Sequence, residues 1–442
     1  MPLGAAEACC WEAPCAAAQP QEDNTFLRWI IGGDDGSSAV MDHIPASSAH
    51  QPLPSLPPLD TPPPPNFALK PNAEAEAEAA NDGTTAALAV EQLAEAATLA
   101  EAGDVLGARE TLLAMAPDIG APGTPLLRSA LYLKDALRVA LSGSSSSSNP
   151  NSVVLIKKLG AYKAFSEISP VLQFAHFTCV QAVLDHLAAA ACIHVLDLDI
   201  GVGDQWASLM HKLARRRPGA ALKVTALVSG TASLELQLVH DNLSSFAAET
   251  RVQFRFAAFN LDAVNPAELL AIAAGEGEAI AVHLPAGSVR GPVLELVRRL
   301  GAKLVVSVDR GCDRGELPFA AHLLQAFQWC ASMLESMDAV VGAGSDVIER
   351  LVIQPRVESC VLRRYRAAAN GEKTPPWRAM LASAGFVPVP ASSFAEAQAD
   401  SLVKKVPVRG FRVQKRGAGE LVLHWQRGEL LSVSAWRLTS SS

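Results

Sequence analysis

Two patterns of apolar residues divide the chain. From residue 84 to residue 190, leucine and alanine recur at the three- and four-residue spacing of amphipathic helices. Leu88, Leu93, Leu99, Leu106 and Leu113 predict a helical hairpin over 86–116, broken at Gly103-Asp104. Leu127, Leu131 and Leu137 predict a helix over 125–141. Further helices are predicted over 153–168 and 170–189, the second opened by Pro170, a favoured first-turn residue. From residue 191 the pattern changes to short apolar runs at 193–198, 223–228, 252–257, 279–284 and 303–308. Helix-like stretches at 206–216, 233–247, 266–274 and 293–300 separate them. Strands apolar on both faces that alternate with helices predict a parallel sheet covered on both sides. A long helix over 319–337 follows, then β-like runs at 406–413, 420–426 and 430–436. The last two form a hairpin across Arg427-Gly428. The predicted class is α/β: a helical cap (84–190) on a doubly wound core (191–442) with an antiparallel C-terminal end.

Residues 1–83 show neither pattern. Ten prolines fall within 45–71, and such composition cannot bury enough apolar surface to offset chain entropy, so a disordered tail is expected. One bulky island, Phe26-Leu27-Arg28-Trp29-Ile30-Ile31, has the look of a short docking segment. Charge follows the same division. The whole chain carries -8, but residues 1–82 hold 12 acids against 2 bases, and residues 346–442 hold 8 acids against 15 bases. The acidic tail reads as solvated; the basic end suits an anionic partner.

The remaining composition excludes several classes. No apolar run reaches the roughly 18 residues of a membrane span, and Glu7 and Glu12 interrupt any leader-like start, which speaks against secretion. The eight cysteines form no C-x-x-C pair, so they read as free thiols in a reducing compartment rather than zinc ligands or disulfides. No histidine pair has metal-ligand spacing and no serine sits in a nucleophile elbow. No metal, cofactor or catalytic set is expected.

Three features carry candidate chemistry. The turn Asp199-Ile200-Gly201-Val202-Gly203 follows a strand and opens a helix, where glycines let backbone amides approach a ligand. It resembles the turn of adenosylmethionine-dependent methyltransferases. However, Gln205 stands at the third glycine position, and the second strand ends Val228-Ser229-Gly230 without a ribose-binding carboxylate. A vestigial ligand turn and a purely steric turn are both open. Asp309-Arg310-Gly311, at the end of a strand, is either a functional group or a capped turn with an internal ion pair. Basic residues gather at Arg215–Arg217, at Arg363, Arg364 and Arg366, and at Lys404, Lys405, Arg409, Arg412, Lys415 and Arg416; the last two groups are candidate nucleic-acid contacts. His194, inside a strand, is expected to be a core histidine.

Several motifs together carry a family resemblance. Ile193-His194-Val195-Leu196-Asp197 resembles the VHIID signature of the plant GRAS transcriptional regulators, flanked by leucine-rich stretches at 86–141 and 231–275. Leu317-Pro318-Phe319 resembles the start of their PFYRE region, Val347–Arg350 their RVER element, and Ser434-Ala435-Trp436 their SAW motif. Finer strings, among them PPWRAMLASAGF and FLRWIIGG, resemble the hairy meristem branch, related to scarecrow-like proteins. The resemblance covers 84–442. It implies a nuclear regulator without enzymatic activity, a methyltransferase-like core and no cofactor. It also implies homo- or heterodimers with other GRAS proteins, transcription-factor partners of homeodomain or zinc-finger type, and DNA contact made directly or through the partner. The leucine faces Leu93, Leu99, Leu106, Leu113 and Leu131 are the candidate partner surface.

Overall fold

The computed structural model describes residues 73–439, apart from 116–122, 144–151, 229–232, 262–276, 342–345, 372–373 and 418. The expected tail up to residue 72, the Ser-rich stretch after Gly143 and the helix expected at 266–274 lie outside the described residues.

The cap opens with α1 (Ala73–Glu101) and α2 (Val105–Ala114). The first helix therefore begins before residue 84. Gly103 turns the chain in the left-handed region at φ 88°, and the Asp104 side chain caps α2 by accepting from the Gly107 N–H. Three helices follow: α3 (Pro125–Ser142), α4 (Ser152–Ile168) and α5 (Pro170–Leu187). Buried Ala96, Ala97 and Ala100 of α1 join Ala108 and Leu112 of α2 and Leu133, Ala136 and Leu137 of α3 in one apolar cluster. Small side chains at these contacts let the helix axes approach closely.

The core alternates as the sequence pattern predicts: β1 (Cys192–Asp197), α6 (Asp204–Arg216), β2 (Ala221–Val228), α7 (Ser233–Thr250), β3 (Gln253–Asn260), β4 (Glu278–His283), α8 (Gly291–Arg299) and β5 (Leu304–Asp309). Then come α9 (Phe319–Val341) and a helical run from Asp346 that passes through a π-helical segment, Glu349–Ile353, into α10 (Gln354–Ala369). The C-terminal part adds α11 (Trp377–Ser383), β6 (Phe386–Val389), α12 (Ser393–Lys405), β7 (Phe411–Arg416), β8 (Glu420–Trp425) and β9 (Gly428–Leu438). Among the described residues the strands form one sheet in the order β3-β2-β1-β4-β5-β9-β8-β7, with β6 on β9. The pairs from β3 to β5 are parallel and those involving β6 to β9 antiparallel. The strand order reverses between β1 and β4, the place where open α/β sheets bind ligands.

The C-terminal part departs further from the sequence pattern, which gives no sign of α11 or β6. The pattern gives no sign of α12 either, because its buried positions are the small residues Ala395 and Ala399, which carry little periodic signal. The strand expected over 406–413 runs instead over 411–416, since Pro407 lacks the N–H that a ladder needs.

Partly buried ion pairs fasten cap to core. Arg128 of α3 bridges Asp338 of α9 (2.8 Å) and Glu349 (3.2 Å), and the Tyr132 hydroxyl donates to Glu349 (2.8 Å). Glu101 at the end of α1 accepts from Arg364 (2.6 Å) and from the Phe319 N–H (2.9 Å). Among the described residues no helix is long and apolar enough to cross a membrane.

Candidate functional site

The signature strand β1 lies in the middle of the sheet, so its side chains are core. Ile193, His194, Val195, Leu196 and Asp197 are all buried. His194 Nε2 lies 2.8 Å from the Thr225 hydroxyl. The Glu278 carboxylate lies 3.2 Å from His194 Nδ1 and 3.5 Å from Lys223; burial, then the Lys223 ammonium, push the ring's pKa down to about 3.

Asp197, at the carboxyl end of β1, accepts four hydrogen bonds. Oδ1 takes the Asp199 N–H (2.8 Å) and His283 Nδ1 (2.7 Å); Oδ2 takes Gln205 Nε2 (3.0 Å) and Trp206 Nε1 (2.6 Å). A carboxylate offers about four lone-pair sites, so no acceptor is left for a ligand. Burial alone would lower the His283 pKa, but the carboxylate of Asp197 outweighs it and holds the imidazole well above its ordinary range. His283 ends β4, directly opposite Asp197 in the strand register. The switch point of the sheet is thus occupied by the chain's own ion pair.

The glycine turn keeps the backbone of a ligand turn. Gly201 and Gly203 have φ of 54° and 79°. A Cβ on Gly203 would lie 3.0 Å from Val239 and 3.2 Å from Leu243. The side chains around the turn, however, close it. Gln205 is buried in its bond to Asp197. Asp199 pairs with Arg310 from the end of β5 (2.5 Å). Burial would raise the Asp199 carboxyl, but Arg310 and then Arg356 hold it well below the usual carboxylate range. The space left between the turn, α4, α5 and the π-helical segment is about 70 Å³. That is room for a few waters, far under the roughly 300–1,000 Å³ of clefts that hold small-molecule ligands.

Asp309 resolves the second open reading as a capped turn, with an unexpected partner. Its Oδ1 accepts the Gly311 N–H (2.9 Å), and its carboxylate takes Arg314 (2.9 and 3.0 Å) and Trp377 Nε1 (3.0 Å). Arg310 turns away to Asp199. The partners Arg314, Trp377 and Arg378 are not visible in the sequence; Trp377 and Arg378 lie nearly 70 residues away. Ser434, Ala435 and Trp436 sit on β9 against β5, buried, with Trp436 Nε1 donating to the Ser434 hydroxyl (2.9 Å). This motif therefore closes the sheet rather than facing a partner.

Several cations of the basic clusters are engaged in ion pairs within the chain. Arg364 is buried and pairs with Glu101; Arg363 pairs with Asp313 (2.8 Å). Arg364 lies on the inward face of α10, while Arg363 is half-exposed and held by Asp313. Lys415 pairs with Glu396, and Arg416 with Glu420 (2.8 Å) and Glu429 (2.7 Å). Arg378 also meets Glu420, and Arg416, the Ser432 hydroxyl and Arg378 together overcome burial and hold the Glu420 carboxyl down at about 2. Arg366, Lys404, Lys405, Arg409 and Arg412 remain exposed, with no carboxylate partner among the described residues. Arg412 donates only to the Gln426 carbonyl and the Gln414 side chain.

The leucine faces divide in the same way. Leu93 is core and Leu99 packs against it. Leu131 is half-buried in a groove between α1 and α3. Leu106 and Leu113 point outward, 68% and 78% exposed, and Leu88 joins them at 57%.

The cysteines among the described residues are free thiols, and no group of three or more acidic, histidine or cysteine side chains there could hold a metal.

Comparison with known proteins agrees with this architecture. The profile of the GRAS domain family matches residues 89–437. Scarecrow-like protein 6 of Arabidopsis thaliana is 42% identical over 365 residues, which is 79% of this chain and 63% of that protein. Scarecrow-like protein 22 of the same plant is 39% identical over 72% of this chain and 54% of its own length. The chain thus spans between half and two thirds of these relatives. The protein NODULATION SIGNALING PATHWAY 2 of Lotus japonicus is 29% identical over 72% of this chain and 69% of its own. Among solved structures, SCL7 of Oryza sativa superposes with a TM-score of 0.57 at 24% identity, covering 79% of this chain and 99% of that one, a likeness of fold. On the profile match and the Scarecrow-like relatives, the chain belongs to the GRAS domain family.

Proposed function

We propose that the protein is a nuclear transcription co-regulator in plant developmental control, within the hairy meristem branch and its shoot-meristem role. It works through protein contacts. Its partners are transcription factors of homeodomain or zinc-finger type and other GRAS chains, in homo- or heterodimers. One observation carries this reading: Leu113 faces solvent on the wall of an open groove of the cap and Leu106 is exposed on the same helix, while Gln205 at the ligand turn of the core is held by Asp197. Large exposed apolar side chains gathered on one face mark interaction sites. The test is co-purification of transcription factors with the full chain from plant nuclei. Capture is expected to fall at least tenfold for Leu106→Asp/Leu113→Asp; unchanged capture, or a protein confined to the cytosol, defeats the proposal.

Direct DNA contact is a second reading, supported by Lys404, Lys405, Arg409 and Arg412, which are exposed with no carboxylate partner among the described residues. Four phosphate contacts give a slope of log affinity against log salt of about -3.6. Fluorescence anisotropy across a salt series measures it; a flat response leaves DNA to the partner. The alternative of an adenosylmethionine-dependent methyltransferase requires Gln205 and the Asp199–Arg310 pair to move aside. Calorimetry with millimolar adenosylmethionine is expected to show no saturable heat.

A further inference from the structure

A larger space opens on the face of the sheet that carries α11. Its volume is about 480 Å³, within the roughly 300–1,000 Å³ of clefts that hold small ligands. It shares no lining residue with the small space at the glycine turn. Trp436 of β9 and Pro388 of β6, neighbours in the strand register, give it an apolar wall. Arg314, Arg378 and Arg416 give it a cationic one, with Glu420 between the last two.

The three cations are strung along carboxylates. Arg314 holds Asp309 (2.9 and 3.0 Å), Arg378 lies between Asp309 (3.4 Å) and Glu420, and Arg416 holds Glu420 (2.8 Å) and Glu429 (2.7 Å). Arg378 is also stacked on the Trp377 ring, 4.2 Å from its centroid, which fixes its plane. These pairs do not exhaust the donors, because a guanidinium carries five N–H groups. Arg416 spends all three nitrogens on carboxylates, but Arg314 spends only Nη1 and Arg378 only Nη2. The Nε/Nη2 edge of Arg314 and the Nη1 group of Arg378 are thus left without a partner among the described residues. One more polar group on this face is idle: the Ser307 hydroxyl, fully buried and directly opposite Ser434 in the register, has no hydrogen bond. Donors exceed acceptors, so a ligand here must bring acceptors.

We propose that this pocket binds a small organic oxyanion, a carboxylate or a phosphate monoester carried on a flat apolar body. Carboxylates and phosphates take guanidinium N–H groups in pairs, which suits the free edge of Arg314. Arg378 supplies a further donor, and Trp436 and Pro388 receive the apolar body. The string of ion pairs carries no net charge, so the attraction comes from position. The guanidiniums stand on the wall of the pocket, while Asp309 lies beneath them with its side chain 1% exposed. The site makes no demand on the cap, so it stands or falls apart from the partner reading.

The test is a saturation-transfer NMR titration of the full chain with benzoate and with phenyl phosphate. Saturable binding is expected, with a dissociation constant on the order of 1 mM for a probe of about nine non-hydrogen atoms. Tighter benzoate assigns the site to carboxylates and tighter phenyl phosphate to phosphate esters; either order supports it. Benzyl alcohol, neutral and of similar shape, is expected to bind at least tenfold more weakly than benzoate. Pro388→Asp sets a carboxylate on the apolar wall at an exposed position and is expected to weaken both probes at least tenfold. Arg378→Gln is expected to do the same. Because it also releases Glu420, Pro388→Asp decides alone if Arg378→Gln loosens the fold. Four results overturn the proposal: no saturable signal from either probe up to about 10 mM, benzyl alcohol as tight as benzoate, inorganic phosphate competing as well as phenyl phosphate, or binding that survives Pro388→Asp.

Discussion

The glycine turn of the core and the outer face of the cap look, in sequence, like a site and a scaffold; in the structure their roles are exchanged. The turn has the backbone of a ligand site, with Gly201 and Gly203 in the left-handed region at the end of β1. Yet Asp197 is saturated by four donors from its own chain, Gln205 is spent on one of them, and Arg310 has closed over Asp199. The cap packs largely through alanine and leucine, and it leaves Leu106, Leu113 and Leu88 in solvent. Exposed apolar side chains gathered on one face mark an interaction surface, and here they lie on the cap. If this contrast is right, substitutions at the turn disturb stability and spare recognition, and substitutions on the cap do the reverse.

The largest effect is expected at Asp197. Asp197→Ala strands the Trp206 indole, the Gln205 amide and the protonated His283 in the interior. Removing one partner of a buried charged pair costs about 3–5 kcal/mol, a large share of a domain's net stability. Urea denaturation of the full chain measures it. A loss under about 1 kcal/mol would mean that the network is open to solvent and the turn is not closed.

His194 gives the next effect, through pH. Its folded pKa of about 3 lies below its ordinary value of 6.5. The neutral ring therefore contributes stability that is complete above pH 6.5 and is lost as pH falls through the window from 6.5 to about 3. His283 has the opposite sign: its pKa is raised, so its contribution is complete below pH 6.5 and lost as pH rises. Stability is expected to peak near pH 6.5. Between pH 6.5 and 4.5 the His194 share is about 2 kcal/mol, and His194→Gln is expected to flatten that acid limb in denaturation curves taken at each pH. An unchanged limb would show that the ring is not buried neutral.

Gly203→Ala ranks third. The left-handed φ of 79° costs an alanine about 1–3 kcal/mol, and its Cβ would meet Val239 at 3.0 Å. Thermal melts read this directly, with partner capture unchanged by the same substitution.

Much of this contrast is legible in the sequence. His194 and Asp197 lie in a continuous apolar run, which places them in a strand covered on both sides, and Gln205 in a glycine's place signals a filled pocket. The basic clusters mislead for a local reason. Arg363 and Arg364 read as a solvated run, but Val357, Cys360, Val361 and Arg364 follow one another at helical spacing, and all four are buried on one face of α10. That periodicity turns Arg364 inward. The Asp309 network has no such signal. Trp377 and Arg378 are near Asp309 only because β9 closes the sheet beside β5 and β6 then pairs with β9, bringing α11 to the strand end. Sequence spacing carries periodicity well and contacts across nearly 70 residues not at all.

The smallest effect on stability is the sharpest test of the comparison. Leu113 is 78% exposed and Leu106 68%, so replacing either by aspartate removes little packing, and exposed substitutions of this kind change stability by about 0.5 kcal/mol or less. Thermal melts of Leu106→Asp/Leu113→Asp are accordingly expected to overlay those of the unsubstituted chain. Its ability to hold partners is expected to be lost, because a carboxylate brought into an apolar contact must be desolvated without a mate. A variant that melts early would mean that these leucines are part of the core packing after all. A variant that melts normally and still binds would move the recognition surface to Lys404, Lys405, Arg409 and Arg412, exposed cations whose charge is not matched by a carboxylate among the described residues.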